Sequence, residues 1–227
     1  MNTRFFRVSG KCHEFDISRC QDQIKIFSDS DRTTIVLCDG AGNSPYGGIA
    51  ANIVSDILVK KIHNNFEEYL FDFLPDIKRQ LAQFIDKELS KVSKELGVDS
   101  KLLATTILAI CMDKTGKFVG VHLGDGTILW NVNCEEDLQI VSSPQNGFQS
   151  NSTYLTMNCP LFYYLRFYRW QKSEAKRIIL LSDGMNCLHN EFTSDIFSPQ
   201  NQKVLHRKMI ETKNFDDMSY VLCELSN

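Results

Sequence analysis

Apolar and polar residues alternate at 4–9 and again at 23–27, and 33–39 is apolar on both faces, so three strands are expected, most simply as a β-meander. After a turn at Asn43-Ser44-Pro45, Ile49, Ile53, Ile57 and Leu58 recur at helical spacing, which predicts a helix from Tyr46 or Gly47 to about Asn64. A second helical pattern covers 67–96, with Leu70, Leu74, Ile77, Leu81, Phe84, Ile85, Leu89 and Val92 on one face. Pro75 should kink or restart it, and Gly97 should end it. From Leu103 the period changes to that of strands. A hairpin is expected over 104–125 around a turn at 114–117, followed by strands at 127–132, 138–143 and 154–157. The aromatic run 161–170 reads as a strand beside 178–182, with an aromatic helix as the alternative. A short helix after Leu188, a helix at 201–213 and a closing strand from Met218 complete the chain. The order of strands, two helices, strands, helix and strand predicts one α+β layered domain over 1–227, with antiparallel sheet inside and helices outside.

Three of these strands end on the same dipeptide. Asp39-Gly40, Asp125-Gly126 and Asp183-Gly184 each follow an apolar run, and Asp216-Asp217 stands directly before the last strand. A carboxylate at the mouth of a sheet is costly to desolvate unless a cation pairs with it, and no lysine or arginine lies within two residues of Asp39, Asp125 or Asp183. Carboxylates from several strand ends can instead converge on a hard divalent ion, with a glycine carbonyl close by as a further ligand. The donors are oxygens, with no H-x-H or H-E-x-x-H spacing, which favours magnesium or manganese over zinc. Two such ions can activate water and clamp a phosphoryl group for in-line attack, the chemistry of a phosphatase. Any single Asp-Gly after a strand also serves as an ordinary turn, so the pattern by itself leaves both readings open.

Charge and cysteine usage narrow the alternatives. A net charge of −3 and a pI near 6.0 do not suit a protein that tracks nucleic-acid phosphates. Without a signal-peptide h-region or an apolar span of membrane length, a soluble, cytoplasmic protein is expected. The eight cysteines form no C-x-x-C pair and read as reduced thiols. Cys12 to Arg19 and Cys159 to Arg166 are each one residue too long for the C-x5-R loop of a cysteine phosphatase.

Taken in order, GKCHEFDISRCQDQIKIF, the Asp39 strand with its following helix, LLATTILAICMD, GVHLGDGTILW, NGFQSNSTYLTM, RIILLSDGMN and DDMSYVL resemble the motif series of the metal-dependent type 2C protein phosphatases. The likeness runs from Gly10 to Leu222 and is nearest to the compact bacterial branch. It implies a four-layer αββα sandwich with two Mn²⁺ or Mg²⁺ ions at one end of the sheets. Asp39 resembles the carboxylate bridging both ions, Gly40 a carbonyl ligand, and Asp183 and Asp216 the remaining ligands of the first ion. Asp22 resembles the acid that orients water at the metals, and Asp125 the aspartate of a third, weaker ion. His13, from G-x-x-H, is a candidate for action near the leaving group or for a structural hydrogen bond. The family's reaction is direct attack of water on phosphoserine or phosphothreonine without a phosphoenzyme. The implied partner is a phosphorylated protein, in opposition to a Ser/Thr kinase, with the enzyme acting as a monomer.

Two positions depart from the family pattern. Gln21 stands where many relatives have glutamate, and Ile17 where many have an arginine for substrate phosphate. Arg19 is displaced from that position by two residues, roughly 7 Å along a strand. These departures keep two alternatives in view, a weak or inactive binding module and a phosphatase of small metabolites. His122 reads as a core histidine, Thr105 and Thr106 as packing and hydrogen-bonding groups near the site, Cys38 as a packing thiol, and the sequon at Asn151 as unused.

Overall fold

The computed structural model describes residues 1–13, 19–132, 138–147, 152–171, 175–192 and 194–224. Ile17 and Asn151 lie outside the described residues.

Ten strands form two five-stranded antiparallel sheets among the described residues. The first sheet holds β2 (Gln23–Ser28), β3 (Arg32–Cys38), β4 (Ile107–Asp113), β5 (Phe118–Leu123) and β8 (Arg166–Trp170), in that order. The second, again in spatial order, holds β1 (Asn2–Val8), β10 (Met218–Glu224), β9 (Ala175–Leu181), β6 (Thr127–Val132) and β7 (Gln139–Ser142). Helices α1 (Gly47–Asn64), α2 (Phe66–Phe71) and α3 (Leu74–Leu96) cover the first sheet. A 3-10 segment at Asp183–Glu191 and α5 (Pro199–Thr212) cover the second, and the short α4 (Leu161–Tyr164) precedes β8.

The side-chain period of two explains why the central strands are apolar throughout. In β3, Ile35 and Leu37 face the other sheet while Val36 and Cys38 face the helices. In β9, Ile178 and Leu180 point between the sheets, and Ile179 and Leu181 point to the opposite helical layer. Each sheet thus shares one core with its partner and another with its helices, which yields four αββα layers.

The register brings the acidic ends together. Leu37 pairs with Leu108 and Ile107 with Leu123, so the end of β3, the start of β4 and the end of β5 coincide. Leu181 lies opposite both Tyr220 and Thr127, which aligns the end of β9 with the starts of β10 and β6.

Several expectations are corrected. The first three strands are not a meander, because β1 pairs with β10, at the far end of the sequence, in the other sheet. Residues 161–170 are not one strand. A helical turn follows Pro160, and only Arg166–Trp170 is extended, paired with β5 and not with the strand at 178–182. The expected strand at 154–157 is a turn, with Met157 at φ 62°, and the helix expected after Leu188 belongs to the 3-10 segment that already begins at Asp183. Pro75 restarts the second helix, at the N-terminus of α3, and Gly97 ends it in the left-handed conformation.

Candidate metal centre

Asp39 is the residue just beyond β3, and its backbone is held from both sides. Its N–H donates to Thr106 Oγ1 at 2.9 Å, and its carbonyl accepts from Thr106 N at 2.8 Å and Thr105 Oγ1 at 2.7 Å. The side chain is left to face the strand ends. Thr105 and Thr106 therefore hold the site in place, as expected.

The glycines after the aspartates serve close approach and not an unusual φ. A Cβ on Gly40 would lie 2.4 Å from the Gly47 carbonyl carbon, and one on Gly184 would lie 1.9 Å from the Asp217 carbonyl oxygen. Bare backbone at these points lets the β3 end meet the start of α1, and the β9 end meet the start of β10.

Asp39, Gly40, Asp125, Asp183 and Asp216 line one open cleft of about 570 Å³. Asp22 is fully buried and does not line it. His13 sits to one side, its Nδ1 3.1 Å from Asp217 Oδ1. Asp125 accepts a hydrogen bond from Thr153 Oγ1.

The electrostatics of this cluster fit a cation. Burial, then the charges of Asp22, Asp183 and Asp216, push the Asp39 carboxyl well above the usual range. Burial pushes Asp22 up to about 7, Asp217 and Asp183 adding to the rise; nearby Ser219 and Asp39 offset part of it. Asp183 is raised to about 6 by burial and by Asp125, and Asp216 is raised chiefly by burial. Both oxygens of Asp22 and Oδ1 of Asp183 are buried without a hydrogen bond of regular geometry. Among the described residues, no lysine or arginine is ion-paired with Asp22, Asp39, Asp183 or Asp216. Buried like charges with unsatisfied oxygens are what divalent cations would neutralise, so the donor set suits hard ions.

Asp217 has a role that the sequence pattern did not assign. It is 2 % exposed, and its oxygens accept from Gly10 N and Gln21 N, both at 2.7 Å, as well as contacting His13. It ties the segment after β1 to the segment before β2. Asp217→Ala would orphan one buried and one half-buried N–H group, and a loss of about 3 kcal/mol in urea unfolding is expected, with Asp217→Asn losing less. A loss below about 1 kcal/mol would show that the clamp carries little of the fold.

Gln21 packs against Gly47 and Gly48 at the start of α1. Its Nε2 donates to Ser44 O at 3.3 Å, and its Oε1 is buried without a partner. His122 is the expected core histidine, fully buried and in hydrogen-bond contact with Ser142 Oγ and Gly124 O. Cys38 is a fully buried packing thiol.

A family model described as protein phosphatase 2C matches residues 9–221. Among solved structures, a bacterial serine phosphatase aligns with a TM-score of 0.71 at 17% identity, covering 100% of this chain and 98% of that one. The serine/threonine phosphatase Stp1 from Staphylococcus aureus gives 0.68 at 17% identity, covering 100% and 96%. RsbX, solved in complex with magnesium, gives 0.67 at 12% identity, covering 99% and 94%. At these identities the likeness is one of fold. No curated protein matches the sequence significantly.

Proposed function

Because the chain belongs to the protein phosphatase 2C family, we propose that it hydrolyses phosphoserine and phosphothreonine in protein substrates, with two Mn²⁺ or Mg²⁺ ions and direct attack by water. The carrying observation is the convergence of Asp22, Asp39, Asp183 and Asp216, far apart in sequence, at one end of both sheets, with Asp22 buried, the other three half-buried in the cleft wall and their charges mutually repelling. Bound there, divalent ions would supply Lewis-acid polarisation of the phosphoryl group and a lowered pKa for the attacking water.

The chain's own residues set the stage for those ions. Thr105 and Thr106 fix the backbone of Asp39, so its carboxylate is aimed before any ion arrives. Asp39, Asp183 and Asp216 would hold the first ion, Asp39 and the Gly40 carbonyl would reach the second, and Asp125 would serve a weaker third. Asp22, buried behind Asp39, would orient water from beneath. The described residues of the cleft wall include no lysine or arginine, so the phosphate's charge would fall mainly to the ions. Cys12 lines the cleft, but burial and the charges of Asp217 and Asp216 push its thiol up, which disfavours a thiolate nucleophile. The enzyme would act as a cytoplasmic monomer opposing a Ser/Thr kinase. No helix of the described residues is long and apolar enough to cross a membrane.

The test is hydrolysis of a phosphothreonine peptide against a small phosphorylated metabolite at equal manganese. Preferential, chelator-sensitive turnover of the peptide supports the proposal. Preference for the metabolite would move the enzyme to another substrate class, and no turnover of either would favour a binding module, the reading that glutamine in place of glutamate at position 21 keeps in view.

A further inference from the structure

Beside the oxygen-lined centre lies a group of different chemical character. Cys12 Sγ is 3.4 Å from His13 Nδ1, and His13 Nδ1 is 3.1 Å from Asp217 Oδ1. The three donor atoms all lie within 4.8 Å of one another. Both contacts of His13 meet on the same ring nitrogen. A relay triad needs thiol on one nitrogen and carboxylate on the other, so this geometry does not make one. A shared ion, by contrast, requires donors crowded around one point. Zinc bonds of about 2.3 Å to sulfur and about 2.0–2.2 Å to nitrogen and oxygen, at a tetrahedral angle, place neighbouring donors roughly 3.3–3.6 Å apart. The Cys12–His13 spacing of 3.4 Å falls in that range and the His13–Asp217 spacing of 3.1 Å lies just below it, while Cys12 Sγ and the Asp217 oxygen, within 4.8 Å of each other, would close onto the ion as it binds.

The support around these donors is also that of a ligand set. Asp217 is held by Gly10 N on Oδ1 and Gln21 N on Oδ2, each at 2.7 Å, which fixes its carboxylate from outside. The segment carrying the other two donors is clamped through its backbone, with Lys11 N on Asn214 O at 2.8 Å and Cys12 N on Phe215 O at 2.9 Å. Cys12 is exposed and lines the cleft, so an ion there would keep an open position toward solvent and substrate. A thiolate, an imidazole and one carboxylate select zinc-class ions over magnesium and manganese, the reverse of the preference of the neighbouring carboxylates.

We propose that Cys12 Sγ, His13 Nδ1 and Asp217 Oδ1 form a separate site for a zinc-class divalent ion at the rim of the cleft. As the ion binds, the Cys12 S–H bond breaks, its proton passes to solvent and the sulfur–metal bond forms, while the imidazole proton resides on Nε2. The His13–Asp217 hydrogen bond is replaced by shared coordination. The site shares no ligand with the oxygen-only centre and does not depend on the hydrolytic reading.

The test uses the full chain in excess Mg²⁺, titrated with Co²⁺ as a spectroscopic probe. The expected result is a near-ultraviolet thiolate-to-cobalt charge-transfer band that one equivalent of Zn²⁺ displaces. The band should vanish in Cys12→Ala, whose cooperative thermal unfolding confirms that it is folded. In His13→Ala, cobalt affinity should fall at least about tenfold. The band should persist in Asp39→Asn, which cripples the other centre, so this proposal and the hydrolytic one fail separately. Absence of the band in the parent protein, its survival in Cys12→Ala, or unchanged affinity in His13→Ala would overturn the assignment.

Discussion

Asp39→Asn is expected to lower manganese-dependent turnover of p-nitrophenyl phosphate by at least about 10³-fold, roughly 4 kcal/mol of transition-state stabilisation, while leaving a folded protein. The reason is positional. Asp39 is half-buried in the cleft wall and the charges of Asp22, Asp183 and Asp216 all bear on it, so under the proposed function it would be the carboxylate that serves more than one ion. Its contribution to the fold comes from its backbone, through Thr105 and Thr106, and asparagine keeps those bonds. Removing one of several buried, mutually repelling carboxyls should also leave the chelated protein at least as stable as the parent, the usual trade between a strained site and stability. Parallel turnover and thermal-melt measurements in EDTA check both halves. A variant that retains a tenth of the activity, or that melts well below the parent in chelator, would contradict the role given to this side chain.

The second large effect links pH to metal. Without divalent ions, folded Asp22 and Asp183 keep their protons up to about pH 7 and about 6, whereas the unfolded chain releases them near 3.8. Between those limits the folded state binds more protons, so these groups lower stability as pH rises, and the loss levels off above the folded pKa values. Buried His122, lowered to about 3 from an ordinary 6.5, acts in the opposite direction over the acidic part of the range. It is not among the proposed ligands and is common to both conditions, so it drops out of a difference. The gain in melting temperature from Mn²⁺ over EDTA is therefore expected to grow from pH 5 to pH 7.5, as ions replace protons on the carboxylates. At about a hundredfold excess over its dissociation constant, one ion adds roughly 2.7 kcal/mol. Melts at several pH values in EDTA and in Mn²⁺ test this, and a manganese effect that is absent or independent of pH would refute it.

How much of this was legible in the sequence follows from the range of each signal. Helix α1, the β4–β5 hairpin and the Pro75 restart depend on residues within a few positions of one another, and the sequence pattern located them. The acidic cluster was legible because the same local event, an apolar strand ending on Asp-Gly, recurs at Asp39, Asp125 and Asp183. The pairing of β1 with β10 was not, because nothing near Arg4 or Phe5 encodes a partner more than 200 residues away, and a meander is the cheaper local guess. Residues 161–170 misled through composition. Their aromatics favour strands, yet after Pro160 the first four close a helical turn onto α3. Asp217 was visible as half of an Asp-Asp pair, but its clamp on Gly10 and Gln21 joins opposite ends of the chain and has no local signature. The sequence also did not show that Gln21 turns toward Ser44, since that depends on the tight packing of Gly47 against it.

Anomalous scattering from a crystal grown in Mn²⁺ bears most directly on the proposed metal centre. Two manganese peaks are expected in the cleft, one among Asp39, Asp183 and Asp216 and one on the far side of Asp39 toward Gly40. A crystal with no peak bordering Asp39, taken from enzyme that hydrolyses phosphopeptide at full rate in chelator, would contradict it.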